Sequence, residues 1–413
     1  MQLPSKTMLE KVYGESQNSS KRFEDLARYF TVHFKSEQMK FFSSPGRTEI
    51  IGNHTDHNGG KILAASIDMD TVGAAFPNHL DIISIISEGY EGEITVDLSA
   101  LGQIPQNQGT LSLVAGMMNA ARNFGFQVSG FNAYISSNVI GAAGVSSSAS
   151  FEMLICSIIN YFFNNNALSY VDYAKIGQNA ENKYWNKASG LMDQMACAVG
   201  GVILLDFSND VKFEKIDFTF SQMGYELIII NTGKGHADLS HEYSEIPFEM
   251  KLVAQELDKS QLSESNLSAF LDGFTKIEAN ISNDRALLRA FHFYEENRRV
   301  EEVIKAIQEE NGEKLLKLIE ESGNSSWKWL QNCYSVENYK EQKVSLVLAL
   351  TEFFLRKIGD GCCRVHGGGF AGVILSVIPK AEVSNYIQFI SKFVEPDNIY
   401  PIHIRKHGAI QLD

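Results

Sequence analysis

Between a strand-like run at residues 131–136 and an apolar helical run at residues 148–163 lies one short loop: Gly141, Ala142, Ala143, Gly144, Val145, Ser146, Ser147 and Ser148. A strand that turns through glycines into a helix leaves few architectures open, because the helix must fold back and cover the sheet. Two glycines let the backbone come close to a ligand. The helix start offers unpaired N–H groups and a positive dipole end, and three successive serines add hydroxyls. A single serine suffices to cap a helix, so the triplet points beyond capping, to an anion such as phosphate.

Elsewhere, strand-like runs at 62–67, 82–86, 202–206, 226–231 and 371–376 alternate with helical runs at 112–124, 171–184, 301–322 and 343–357. Strand pairs close in sequence suit hairpins in an antiparallel or mixed sheet better than repeated βαβ units. The reading is an α+β fold with mixed sheets and packed helices. At 413 residues the chain exceeds one typical domain, and its character changes near residues 217–224. Two domains are therefore expected, 1–220 and 221–413. The charged helical stretch 245–345 reads as amphipathic surface helix without chemistry.

Hydrophobic residues make up 44% and charged residues 21% of the chain, enough for a sizeable core. The net charge of −14 disfavours nucleic acid as a partner, yet leaves room for a phosphate site, which is only a local cluster of donors. The N-terminal stretch lacks an uninterrupted apolar run, so no signal peptide is expected. The longest apolar run, 344–355, includes Glu352 and fits a core helix, not a membrane span. Five cysteines (156, 197, 333, 362 and 363) lack even pairing and CxxC spacing, which reads as reduced thiols in a cytoplasmic protein.

Two further glycine stretches stand out. Gly367, Gly368, Gly369 and Gly372 satisfy GxGxxG but precede a strand where a dinucleotide fold needs them after one, so they form a close-packed turn or a loop over a ligand. No GxxxxGK[ST] is present, which excludes a P-loop enzyme. The third stretch, 46–60, concentrates Arg47, Glu49, Asn53, His54, Asp56, His57 and Asn58. His54, Asp56 and His57 could hold a metal only on a helix, and the flanking glycines favour a loop. A pocket for the hydroxyls of a small sugar-like substrate is the better reading. Phosphoryl transfer also needs carboxylates. Glu181 lies on a helical run, and Asp193 sits in apolar GLMDQMACAV. A carboxylate there is costly unless paired or functional; beside Arg47, Asp193 would stay ionised and could accept a proton.

These motifs, in this order, resemble the superfamily of galactokinase, homoserine kinase, mevalonate kinase and phosphomevalonate kinase, and galactokinases most closely. The resemblance rests on residues 45–63, 141–149 and 364–372, with shorter matches at Glu181, 190–194 and 231–243. It implies that Asp193 is the base or orienter for a sugar anomeric hydroxyl and Arg47 its partner. It implies that loop 141–148 holds the ATP phosphates, with Ser147 or Ser148 and Glu181 on Mg2+. Asn53, His54, Asp56, Gly190 and Tyr243 would bind the sugar, and 367–369 would approach from the second domain, so that ATP and sugar lie in the cleft between domains. A cytoplasmic, Mg-ATP-dependent galactose 1-kinase is implied, a monomer or weak oligomer with no nucleic-acid or membrane partner.

The chain departs from that pattern in places. Galactokinases usually carry Glu where Asn53 stands, Asn for Glu49, Tyr for His57, Thr for His366 and Pro for Ile140. The Glu replaced by Asn53 helps hold the sugar 6-hydroxyl in the family. A neutral carboxamide there also removes repulsion toward a C6 carboxylate, on the order of 1–4 kcal/mol at about 4 Å, so galacturonate or a modified galactose is the alternative substrate. A non-catalytic relative that senses ATP and sugar is the other alternative, against which Arg47, Asp193 and the complete serine loop stand. A superfamily kinase acting on mevalonate or homoserine would lack the Arg47 cluster in this form.

Overall fold

A computed structural model of the protein describes residues 2–103, 106–141, 144–185, 189–233 and 239–412. Its strands are β1 (Lys40–Ile51), β2 (Lys61–Pro77), β3 (Ile82–Ser87), β4 (Glu93–Asp97), β5 (Phe131–Ser137), β6 (Val202–Asp206), β7 (Lys212–Ile216), β8 (Tyr225–Asn231), β9 (Cys362–His366), β10 (Val373–Pro379), β11 (Ile399–Ile402) and β12 (Ile410–Leu412). One sheet runs β12-β1-β2-β5-β3-β4, with β6 on β2 and β7 on β6. It is mixed, since β3 and β5 are parallel while its other pairs are antiparallel. The second sheet, β11-β8-β10-β9, is antiparallel throughout.

β2 forks the first sheet. Its first half pairs with β6, Lys61 opposite Asp206, and its second half with β5, Thr71 opposite Ser137. β1 follows β2 along both halves, with register shifts between Pro45 and Arg47 and between Glu49 and Ile51. Such bulges kink a strand and re-aim its side chains. Here they turn Arg47 and Glu49 toward the rest of the molecule. The run 40–51 was not expected as a strand because it carries Pro45 and Gly46 and shows no alternation. It is buried on both faces, and a strand covered on both sides has no reason to alternate.

Helix Ser147–Phe163 packs its apolar face against β1 and β2, and helices Thr110–Asn123 and Tyr170–Tyr184 pack on it and on each other. A second core joins the sheets: Ile50, Ile51 and Leu63 meet Leu227, Ile229 and Leu375, closed by Val300, Val303, Leu315 and Ile319. The chain passes from the first sheet to the second between β7 and β8, but β12 returns to β1. Sheet membership therefore does not follow a simple division at residue 220. The single helix expected at 301–322 is two, Asp284–Gln308 and Gly312–Ser325, split where the Asn311 side chain accepts from Lys314 N–H and caps the second. All five cysteines are free and buried.

Both chain ends are tied to the first sheet by one carboxylate. Asp70 in β2 accepts from Arg22 (2.5 Å), Arg405 (2.8 Å), Tyr13 (2.8 Å) and Ser43 (2.5 Å). Burial by itself would raise its pKa; the two guanidinium groups outweigh that and hold it below the usual carboxylate range. Removing a buried partner leaves the others uncompensated. Asp70→Ala is expected to lower the unfolding free energy by about 3–5 kcal/mol, read from urea denaturation. A loss below about 1 kcal/mol would show that the cluster does not anchor the termini.

Candidate active site

Arg47 emerges from β1 nearly buried. Its Nε and Nη2 donate to Asp193 Oδ1 at 2.8 and 2.7 Å, Nη1 donates to the Gly144 carbonyl, and its backbone N–H donates to Val145 O at 3.1 Å. One arginine thus holds both the carboxylate and the glycine loop. Asp193 sits in the first turn of helix Met192–Val199, where the dipole favours an anion. Its second oxygen, Oδ2, accepts from Ser146 Oγ at 2.6 Å.

Ser146 adopts a left-handed backbone (φ 59°) ahead of helix Ser147–Phe163 and makes no side-chain cap bond to that helix. Its hydroxyl serves Asp193 instead, so capping does not account for it. Ser148 Oγ donates to Glu181 Oε1 at 2.9 Å, and Gln194 Nε2 donates to Glu181 Oε2 (3.2 Å) and to Glu152 Oε2 (3.1 Å). Gly144 has φ 62°, and a Cβ there would lie 2.7 Å from Val373 Cγ2 and 3.4 Å from His366 Nδ1. Glycine at this position is what lets the loop touch β9 and β10. Ala142 and Ala143 lie outside the described residues.

Among the residues expected to meet a sugar, Asp56 opens a short 3-10 turn. A Cβ on Gly190 would stand 1.9 Å from Asp56 Oδ2, so Gly190 and Asp56 are in direct contact. His54, with φ 60°, places Nε2 2.9 Å from Gly368 O; a carbonyl only accepts, so Nε2 carries the proton. Tyr243 donates its hydroxyl to Gly369 O at 3.0 Å. Asn53 is placed differently from the expectation. It is 0% exposed, with its carboxamide bonded to Glu49, Gly367 O and Asn332. Among the described residues no group of three or more His, Cys, Asp or Glu could hold a metal ion. A cavity of ≈ 650 Å³ lined by Glu320, Trp327, Lys328, Glu352, Arg356 and Arg364 contains none of these groups.

Comparison with known proteins fits this geometry. Residues 28–77 match the galactokinase galactose-binding signature, and residues 112–201 match the N-terminal domain of GHMP kinases. The galactokinase of Limosilactobacillus reuteri is 32% identical over 383 residues, covering 89% of this chain and 92% of the relative. This chain belongs to the galactokinase family. The Lactococcus lactis galactokinase is 29% identical over 403 residues, covering 94% of this chain and 96% of the relative. The crystal structure of Lactococcus lactis galactokinase complexed with galactose superposes with a TM-score of 0.81 at 25% identity, over 94% of this chain and 99% of that one. The Methanococcus jannaschii mevalonate kinase shares the fold at a TM-score of 0.61, with 18% identity and coverage of 89% and 98%.

Beside these residues lies a buried network that the sequence did not reveal. Arg364 in β9 donates to Glu49 Oε1 (2.8 Å) and Ile50 O (3.0 Å). Helix Asp284–Gln308, expected to be solvent-facing, buries Arg289, His292, Glu296 and Arg299. Glu296 accepts from Gly52 N–H at 3.0 Å, and His292 donates to Asn53 O at 2.9 Å. The signal was present: residues 289, 292, 296 and 299 recur at helical spacing on the same stripe as the apolar core positions. His366, which stands where galactokinases usually carry Thr, accepts at Nε2 from Glu49 N–H (3.2 Å), which leaves the proton on Nδ1, a buried donor without a partner among the described residues.

Burial lowers the pKa of His292 to about 4, and burial with Arg47 and Arg364 nearby holds His366 well below its ordinary value. Both are neutral in the native protein, whereas the unfolded chain takes up these protons below about pH 6.5. Stability is therefore fully present above pH 6.5 and lost as pH falls toward 4. Each histidine is expected to contribute a slope on the order of 1.4 kcal/mol per pH unit. Denaturant midpoints at pH 7.5, 6.0 and 5.0 check this; an unchanged midpoint at pH 5.0 would contradict it.

Proposed function

We propose that this protein transfers the γ-phosphoryl group of ATP to the anomeric hydroxyl of galactose, giving galactose 1-phosphate. The observation that carries the reading is the contact of Asp193 with both Arg47 and the phosphate-loop serine Ser146. A carboxylate held at the end of a loop suited to phosphate lies where an acceptor hydroxyl must meet the transferred group. Arg47 pairs with Asp193 and fixes its orientation, so Asp193 can align the hydroxyl and take its proton. Arg47 also carries positive charge to the point where negative charge spreads over the equatorial phosphoryl oxygens. Asp56, Gly190, His54 and Tyr243 form the sugar side of the site in this reading, and backbone N–H groups at 144–148 the nucleotide side.

Ser148 and Glu181 offer a hydroxyl and a carboxylate in contact, a hard-oxygen pair that fits Mg2+, which is usually held by one or two carboxylates together with phosphate oxygens. Bound there, the ion would neutralise charge on the phosphates. Ser147, next in the loop, is the other hydroxyl assigned to this role. The protein is read as cytoplasmic; among the described residues no helix is long and apolar enough to cross a membrane. The galacturonate alternative rests on a neutral Asn53 facing C6 and on His57 in place of Tyr; the Asn53 carboxamide is engaged within the protein.

Asp193→Asn is expected to lower kcat by roughly 10²-fold or more while nucleotide binding persists, read from galactose-dependent ADP release and from nucleotide titration. Near-normal turnover would remove Asp193 from the proton-transfer role. Galacturonate turnover with galactose at background would overturn the substrate.

Gly190→Ala forces the Asp56 carboxylate aside. It is expected to raise the galactose KM about tenfold or more, the loss of one charge-assisted hydrogen bond, and to leave the ATP KM unchanged. Equal changes in both constants would separate Asp56 from the sugar.

A further inference from the structure

We infer that Asn53 is a positioning residue, which docks the sugar loop on the glycine turn 367–369 and thereby presents His54, and that it makes no contact with the sugar. The inference rests on the reading of the site as a sugar kinase and adds to it a role for a residue on the sugar side.

Every polar valence of Asn53 is spoken for. Its Nδ2 donates one hydrogen to Gly367 O at 2.7 Å and shares the other between Glu49 Oε1 (3.0 Å) and Oε2 (3.3 Å). Its Oδ1 accepts from Asn332 Nδ2 at 2.8 Å and faces Ser326 Oγ at 3.4 Å. The backbone N–H donates to Glu296 at 3.3 Å and the backbone carbonyl accepts from His292 at 2.9 Å. A carboxamide offers two donors and two acceptor directions, and none remains for a ligand. The residue is also fully buried.

What this bonding does is visible in the next residues. Three successive carbonyls of the glycine turn are taken in order: Gly367 O by Asn53, Gly368 O by His54, and Gly369 O by Tyr243. Asn332 links the two sides, donating to both Asn53 Oδ1 and Gly368 O (3.1 Å). Asn53 is also anchored to β1 through Glu49, which Arg364 of β9 holds from its other side. It therefore sets where the loop 52–56 sits on the turn, and with it the left-handed His54, whose Nδ1 is left as an acceptor.

Asn53→Asp is isosteric but sets a carboxylate against Glu49 and against Gly367 O. In full-length protein, kcat/KM is measured with galactose and with 6-deoxygalactose, alongside the ATP KM and calorimetric binding of each sugar. A positioning role lowers kcat/KM and sugar affinity at least tenfold for both sugars. Their ratio stays within about twofold of the unsubstituted protein, because a residue that does not touch the 6-hydroxyl cannot couple to its removal; the ATP KM stays unchanged. Loss with galactose but not with 6-deoxygalactose would place Asn53 on the sugar and overturn the inference. So would an unaffected variant, or an ATP KM that rises by the same factor, which marks general loosening. Should Asn53→Asp fail to fold, Asn332→Ala weakens the same dock from its other side and is held to the same outcomes. Sugar binding by calorimetry needs no turnover. If the unsubstituted protein binds both sugars without phosphorylating them, the kinase reading fails while the Asn53 comparison still decides.

Discussion

The ion pair between Glu49 and Arg364 is the joint on which the site hangs. It crosses from β1 to β9 with both side chains essentially without exposure. Two charges in such a place are tolerated only with good geometry and with their remaining donors and acceptors satisfied. Arg364 meets that condition through Ile50 O and Val365 O, and Glu49 through Asn53. Because a partner left alone would be an uncompensated buried charge, the two sheets are held at one relative position. β1 then carries Arg47 to the glycine loop, and β9 carries the turn 367–369 to the loop with His54.

From that joint the site divides into two sides with different physics. The phosphate side is built from a helix start, serine hydroxyls and Arg47, groups that stabilise an anion. Two bulges in β1 bring Arg47 within reach of Asp193 and Gly144 O together. The sugar side is built from neutral groups and carbonyls: His54, Asn53, Asn332 and the glycine turn. Burial keeps His292 and His366 neutral around it, and the buried charges beside it are paired, Glu49 with Arg364 and Glu296 with Arg299; Asp56 is the carboxylate of this side, against Gly190.

Much of the site was legible in the sequence because its parts are local. The serine loop, the concentration of polar residues between Gly46 and Gly60, and a carboxylate stranded in GLMDQMACAV each break the ordinary pattern of their element. The helices 147–163, 170–184 and 343–358 were legible within one or two residues because their apolar periodicity is strong. β1 was hidden, since a strand buried on both faces and broken by Pro45 carries no period. The helix at 284–308 was misjudged for the opposite reason. Its many charged residues mask the stripe that Arg289, His292, Glu296 and Arg299 share with the core.

What the sequence determined by itself is the chemistry on offer: an anion-binding helix start, an Arg–Asp pair, a polar cluster suited to hydroxyls, and membership of the galactokinase family through motifs in order. What only the tertiary structure decided is which way each polar group faces. Asn53 and Ser146 show this most plainly. A carboxamide in a polar loop is free to face a sugar, and a serine before a helix is free to cap it; their spacing permits both. Partners 279 and 314 residues away in the chain claim the Asn53 carboxamide, and Asp193 claims the Ser146 hydroxyl. A hydrogen-bonding group has few valences, and burial forces each to be used. Which partner uses it is a property of the packed molecule.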